Sequence, residues 1–309
     1  MKGRFAAVIR AFISEDNPKW MSYAEATSDL WGRELRLAER PDTLGAYFVH
    51  DLKPSIIQAY LDGLAEWPAK QEAALSALRR CEKWALLRDL LPHLITYGCE
   101  AEGSDGGHIP WTDEHVLLAE THARQALARA VTLAANTGQR GSDLVKMRWS
   151  DIETFNGRPG INVIQKKTKK QIWVPFTEYL ILAMASWERR PGFILLNPAG
   201  KPWSRKRLSG DWQYARDTKP ALAPLRREAM GPEAEEGLVI HGLRATACVR
   251  LLRAGANTRQ ISDMIGMSEQ MVKRYTRFSE QKLNAMAAVI HLDRTPREPA
   301  EILPFRKES

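Results

Sequence analysis

HGLRATACVRLLRAGANTRQISDMIGMSEQMVKRYTRF, residues 241–278, is the stretch on which the reading of this chain turns. Its apolar spacing predicts a helix over 241–254, ended by Gly255, a second over 258–265, and a third beginning at 270–278. His241 and Arg244 stand three apart and so share a helix face. An imidazole supplies an acid or base near neutral pH, and a guanidinium supplies a permanent positive charge. Tyr275 sits among Lys273, Arg274 and Arg277. Cations beside a phenol favour its phenolate, the form that a tyrosine nucleophile needs. Taken singly, these pieces also suit a packed histidine beside a surface arginine, and a half-buried tyrosine on an amphipathic helix.

Two stretches upstream carry similar chemistry. In TGQRGSDLVKMRW (137–149) a glycine turn puts Arg140 just before a helix predicted over 142–149, with Asp143 in its first turn. An arginine at such a junction can grip a phosphate through parallel N–H bonds, or simply pair at the surface. GRPGINVIQKKTKKQIWVPF (157–176) alternates about a turn and predicts two strands, one around Ile161 and Val163, the other around Ile172 and Val174. Lys166 to Lys170 lie at the tip of that hairpin. Helices are expected at 123–135, 178–187 and 212–215, and a Pro-, Ala- and Glu-rich surface connection at 220–237.

In order, these stretches give an arginine, a lysine-bearing hairpin, HxxR, and a tyrosine about thirty residues later. That order resembles the tyrosine recombinase (phage integrase) family, closely over 111–280. ALSALRRCEKWALLRDLL is similar, more weakly, to the last helices of the family's core-binding domain. The resemblance implies a mainly α fold with a small β-hairpin or sheet: a helical N-terminal core-binding domain followed by an α+β catalytic domain. It implies that Arg140 and Arg244 clamp a scissile DNA phosphate and that Tyr275 attacks it, leaving a 3′-phosphotyrosyl link. Lys167, directly before Thr168, would protonate the leaving 5′ oxygen, with Lys166 and Lys169 as close competitors. His241 would act as acid/base or hold the phosphate's geometry. The family usually has His or Trp after a Leu-Gly or Ile-Gly pair ahead of the tyrosine. Here Ile265-Gly266 is followed by Met267, which cannot donate a conventional hydrogen bond but can pack against Tyr275. Slowed rather than abolished cleavage is the expectation. A type IB topoisomerase-like enzyme and a DNA-binding protein with impaired catalysis are the competing readings.

The remaining sequence fits this organisation. Helical spacing in Ile56, Ile57, Tyr60, Leu61 and Leu64, and again in Ala74, Leu75, Leu78, Cys81, Trp84 and Ala85, predicts a small bundle over 1–105, with helix starts at Asp42-Thr43 and Lys53-Pro54. Residues 98–110, rich in Gly, read as a linker, and Thr112 as the cap of a new helix. The catalytic region would run over 111–294, and a proline-bearing tail over 295–309 is expected to be mobile. An apolar stripe of Leu283, Met286, Ala287, Val289 and Ile290 suits docking on a neighbouring subunit or packing within the chain. The net charge is +8. Residues 1–105 carry 13 Lys and Arg against 16 Asp and Glu, so the whole basic excess lies downstream. That excess suits double-stranded DNA as partner, and the resemblance adds a homo-tetramer on two DNA sites. Cys81, Cys99 and Cys248 are too few and too scattered for a disulfide framework. No CxxC, HExxH or P-loop pattern occurs, so no cofactor or metal is expected. No apolar run suits a membrane span, and a cytoplasmic protein is expected. The chain is also short ahead of the helical region for a separate arm-binding module.

Overall fold

The computed structural model describes residues 3–102, 108–232, 234 and 236–294, with backbone alone at 278–280, 282–284, 287–288 and 291–294. The tail 295–309 and the middle of the 98–110 stretch lie outside the described residues. The chain divides into two compact units, Met1–Asp105 and Gly106–Ser309.

The first unit is helical. Helix α1 (Phe5–Phe12) buries Phe5, Val8, Ile9 and Phe12, a stripe at helical period. Helix α2 (Pro18–Met21) starts with Asn17 accepting from the Lys19 amide and proline in the first turn. Helices α3 (Glu25–Ala38), α4 (Pro54–Asp62) and α5 (Pro68–Leu86) complete the bundle. The predicted stripe of α5 is buried from Ala74 to Ala85. Polar side chains are buried with it, Asn17 and Glu82 among them. Asn17 bridges the Phe12 carbonyl (2.6 Å) and the Trp84 indole N–H (3.1 Å). The Glu82 carboxylate accepts from the Ile95 and Thr96 amides at 2.5 and 2.6 Å and from the Thr96 hydroxyl at 3.0 Å. Those bonds tie the segment after α5 back onto it.

Asp42-Thr43 does not start an α-helix. The Thr43 hydroxyl lies 2.9–3.0 Å from the carbonyls of Leu37, Ala38 and Arg40, so it closes the end of α3, and only a 3-10 turn follows at Leu44–Ala46. The chain folds back so tightly there that a side chain at Gly45 would meet the Glu39 carbonyl.

The second unit packs helices around a three-stranded antiparallel sheet. Thr112 caps α6 (Asp113–His122), accepting from the His115 amide, as its sequence suggests. Helix α7 (Gln125–Thr137) leads into α8 (Gly141–Leu144). Strands β1 (Ile152–Phe155), β2 (Arg158–Ile164) and β3 (Gln171–Pro175) pair in that order. Ile161 faces Val174 and Val163 faces Ile172 in register, and all four are buried. Helices α9 (Glu178–Ala185), α10 (Arg205–Thr218), α11 (Gly242–Arg253), α12 (Thr258–Ile265) and α13 (Glu269–Arg294) follow.

Three local expectations fail in this unit. Strand β1 is unpredicted because most of it is exposed, yet the Asn156-Gly157 turn joining it to β2, with φ of 47° and 79°, is a hairpin signal present in the sequence. The helix expected over 142–149 stops at Leu144, because the Met147 carbonyl accepts from the Ile194 amide (2.9 Å) and Arg148 bridges to Phe193. The 220–237 connection is not merely superficial: its 3-10 turn Pro220–Leu225 sends Leu222 and Leu225 fully into the core. The three cysteines are buried thiols. Among the described residues, no helix is long and apolar enough to cross a membrane.

Replacing Glu82 by Ala strips two buried amides and a hydroxyl of their acceptor. The expected loss is about 2–4 kcal/mol of stability, read as a lower denaturation midpoint for the first unit.

Candidate active site

The site is assembled where three chain ends meet. Helix α7 ends at Gly138 in the left-handed conformation (φ 63°), where a Cβ would stand 3.0 Å from Ala247 and from Ile265. Helix α12 ends at Gly266 (φ 70°), where a Cβ would collide with the Gln165 amide at 2.5 Å. The third end is the β2–β3 turn, which begins at Gln165. Glycine is the residue that permits both the backbone angle and the close approach.

The last carbonyls of a helix lack partners within it and carry the negative end of its dipole. Here the Ile265 carbonyl accepts from three side chains: Gln165 Nε2 (2.9 Å), Gln139 Nε2 (3.2 Å) and Arg244 Nη1 (3.2 Å). Arg244 Nη1 also donates to the Gly138 carbonyl at 2.5 Å. Gln165 is fully buried, and its Oε1 accepts from Arg140 Nη1 (3.0 Å) and from the Thr168 hydroxyl (2.9 Å). Asp143, also buried, accepts from the Lys166 amide at 3.0 Å. One network thus ties the two arginines to the lysine-bearing turn.

Arg140 is the residue just before α8, and His241 the residue just before α11. Arg244 is only 3% exposed. Burial first, then the like charge of Arg140, lowers its guanidinium to about 10, while Cys248, Tyr275 and Asp143 oppose that shift. Its Nη2 is buried with no hydrogen-bond partner among the described residues. His241 is pushed down to about 4, first by burial and then by His108, Arg244, Arg205 and Arg140. It is therefore neutral at physiological pH. Tyr275 is half-buried on α13 and rests on an apolar cluster of Ala247, Cys248, Ile261, Ile265, Met267 and Val272. Met267 is a buried member of that cluster, with its sulfur 3.9 Å from Cys248 Sγ. Lys166, Lys167 and Lys169 are exposed on the turn, and Lys170 lies 3.9 Å from Asp263.

Arg140, His241 and Arg244 are thus within electrostatic reach of one another and Tyr275 within reach of Arg244, with Met267 in the cluster that Tyr275 packs against and the lysines on a turn that Gln165 anchors. Several neighbours escaped sequence reasoning. Gln139 and Gln165 are polar and fall outside any apolar period. Arg205 opens α10 behind its Ser204 cap, where the SRKR run was the available signal. His108 stands in the stretch read as linker, yet its ring meets that of His241 edge-on at 4.8 Å. Chemically, the arrangement is a cationic, partly dehydrated cradle with a neutral imidazole and a phenol at its rim. It suits a phosphate.

The depressed His241 has a pH signature. The unfolded imidazole titrates at its ordinary 6.5 and the folded one near 4, so between those values the unfolded state holds the extra proton. The contribution of His241 to stability is complete above 6.5 and is lost as the pH falls towards 4. Imidazole NMR should find the His241 ring still neutral at pH 5, and its resonance should vanish in His241→Asn.

Residues 114–282, more than half of the chain, match the Phage integrase family. No protein of curated function matches the sequence. Among solved structures the chain is similar to a lambda integrase dimer bound to a COC′ core site, at 20% identity over 89% of this chain and 77% of that one, with TM-score 0.67. It is similar to a lambda integrase tetramer bound to a Holliday junction, at 20% identity over 88% and 75% of the two chains, with TM-score 0.65. It is also similar to the Tn1549 transposon integrase in complex with transposon right end DNA, at 16% identity over 92% and 99%, with TM-score 0.68. Identities this low speak for a shared fold. The family match rests on the sequence itself, and the segment it spans holds Arg140, the lysine turn, His241, Arg244 and Tyr275: the chain belongs to the phage integrase family of tyrosine recombinases.

Proposed function

We propose that the protein is a site-specific DNA recombinase that cuts and rejoins duplex DNA through a 3′-phosphotyrosyl intermediate. One observation carries the reading: Arg140 and Arg244 are held beside a neutral His241, with Tyr275 in reach of Arg244 and a buried Arg244 nitrogen left without a protein acceptor among the described residues. Buried like charges are costly unless an anion completes them, and a phosphodiester is that anion.

The chemistry follows from charge and geometry. The Tyr275 oxygen attacks phosphorus, a P–O bond to tyrosine forms, and the bond to the 5′ oxygen breaks. Charge grows on the non-bridging oxygens, where two guanidiniums already stand, so the transition state gains more than the ground state. Lys167 gives its proton to the departing 5′ oxygen. Neutral His241 is in the right form to accept the phenol's proton. The tyrosyl ester conserves the energy of the broken bond, so a 5′ hydroxyl from another strand rejoins the DNA without ATP. Met267 supports Tyr275 by packing and offers the phosphate no strong donor, so this cleavage is slower than with a histidine there. That deficit is the one motive for the alternative of a DNA-binding protein with impaired catalysis.

Double-stranded DNA is the proposed partner of both units. The first unit, acidic overall, still gathers Lys19, Arg80, Lys83 and Arg88 around one hollow floored by Tyr23, Trp84 and Leu87. Arg88 lies over the Trp84 ring at 4.7 Å and Arg80 over Trp31 at 5.9 Å, which holds the heads in place. That basic face supports a role as the core-binding domain. We further propose a tetramer on two DNA sites, acting in the cytoplasm. The exposed Met286, Val289 and Ile290 of α13 favour contact with a neighbouring subunit, while Leu283 and Ala287 lie outside the described side chains.

Nicked suicide duplexes carrying candidate attachment sequences are expected to give an SDS-resistant protein–DNA adduct with the wild-type chain and none with Tyr275→Phe. An adduct that survives Tyr275→Phe sinks the proposed nucleophile, and no adduct on any site leaves the DNA-binding alternative. Site-independent relaxation of supercoiled plasmid would instead mark a topoisomerase. Binding should weaken steeply with salt, and Lys83→Gln with Arg88→Gln should lower the logarithmic salt slope by about one for each phosphate that is no longer neutralised. A slope unchanged by both substitutions removes this face from the interface.

A further inference from the structure

The segment before α6 does more than join the two units. It is fastened to the start of α11 by a set of specific bonds. The Trp111 amide donates to the Thr246 hydroxyl at 2.7 Å, and the Trp111 indole N–H donates to the Val239 carbonyl at 3.0 Å. Gly242 lets the chain come close: a Cβ there would stand 2.3 Å from the Ile109 carbonyl and 3.1 Å from the Trp111 indole nitrogen. So fastened, the segment delivers His108 to His241, ring against ring at 4.8 Å and 80°. On its far side His108 Nδ1 lies 2.6 Å from Glu236 Oε1. An ionised carboxylate only accepts, so this bond fixes Nδ1 as a protonated nitrogen and sets the ring's orientation.

We propose that Glu236 and His108 form a brace for His241, in which His108 is a positioning residue that holds the imidazole edge-on. The inference rests on His241 working as the acid/base of the strand-cleaving site proposed above. The groups bearing charge on His241 are His108 from the segment before α6, Arg140 at the start of α8, Arg205 at the start of α10 and Arg244 on α11. All four are cationic when charged. Three are arginines, and the fourth, His108, is held in its place by Glu236. Burial first, then His108, then the arginines disfavour the cationic form of His241. The brace therefore adds to burial and the arginines in keeping His241 as the free base, the form that takes the proton from the attacking phenol. It also couples the site to a pair outside the arginine, histidine and tyrosine boxes, since His108 and Glu236 belong to none of them.

The test separates charge from packing. His108→Phe keeps an aromatic ring against His241 and removes the ionisable group, and Glu236→Ala releases His108 from its anchor. In the DNA-free protein, with imidazole C–H resonances followed by NMR, His108→Phe is expected to raise the His241 midpoint by about half a pH unit or more. The thermal midpoint should stay within a few degrees of wild type, about the scale of a surface change. Glu236→Ala is expected to broaden or split the His241 resonance as its neighbour loses orientation. On a nicked duplex that traps the adduct, the acid limb of the rate profile should move up in pH with His108→Phe, with duplex affinity at neutral pH unchanged. A His241 midpoint indifferent to His108→Phe, with its resonance also unaltered in Glu236→Ala, overturns the brace. These NMR readings need no catalysis. A midpoint that moves as expected in His108→Phe, in a protein whose wild-type form makes no adduct, would therefore count against the recombinase reading and leave the brace standing.

Discussion

A single main-chain carbonyl, that of Ile265 at the end of α12, organises this protein's site. Three side chains from three separate stretches donate to it: Gln139 after α7, Gln165 at the hairpin turn and Arg244 on α11. A free helix end in a buried place needs donors, and charged or amide donors held there lose their freedom to wander. The consequence is preorganisation. Arg244 is aimed by the backbone it touches, and Arg140 by the glutamine that the same carbonyl holds. Two positive side chains that repel one another are thereby kept together before any anion arrives.

That arrangement explains why so much of the local fold consists of glycine turns and short elements. Gly138 lets the end of α7 lie against Ala247 and Ile265, Gly266 lets the end of α12 lie against Gln165 and Ile172, and Gly242 allows the segment carrying Ile109 and Trp111 to lie on α11. The sheet joins the core through Ile161, Val163, Ile172 and Val174. Its use is to present a lysine-bearing turn whose base is fastened by Gln165, Thr168 and Asp143 while its lysine heads remain in solvent. A fixed base and a free tip would suit the proton donor proposed above. The apolar cluster under Tyr275 plays the complementary part, supporting the ring without pinning its oxygen.

The two units place their cations differently. In the first, buried Asn17 and Glu82 settle loops onto helices, and a basic hollow sits on an otherwise acidic surface. Net charge does not describe that face, because the pull on a polyanion depends on where cations gather and not on their sum. In the second, cations are concentrated at helix starts and turns, where backbone geometry can aim them.

By itself the sequence determined what is local or periodic. Helix stripes such as Ala74 to Ala85, the cap at Thr112, the stop at Gly255, the hairpin pairing of Ile161 and Val163 with Val174 and Ile172, and the order of Arg140, the lysine turn, His241, Arg244 and Tyr275 could all be read from spacing and residue type. Tertiary structure alone decided what depends on encounters between distant segments. The early stop of α8 comes from pairing with Phe193 and Ile194, and the burial of Leu222 and Leu225 from a loop folding inward. Gln139 and Gln165 became central, Arg205 joined the site, and His108 in a supposed linker came to lie against His241. Periodicity reports which face of an element is apolar. It carries no record of which polar side chain will meet a buried carbonyl or an imidazole more than a hundred residues away, because that meeting is set by the packing of whole elements.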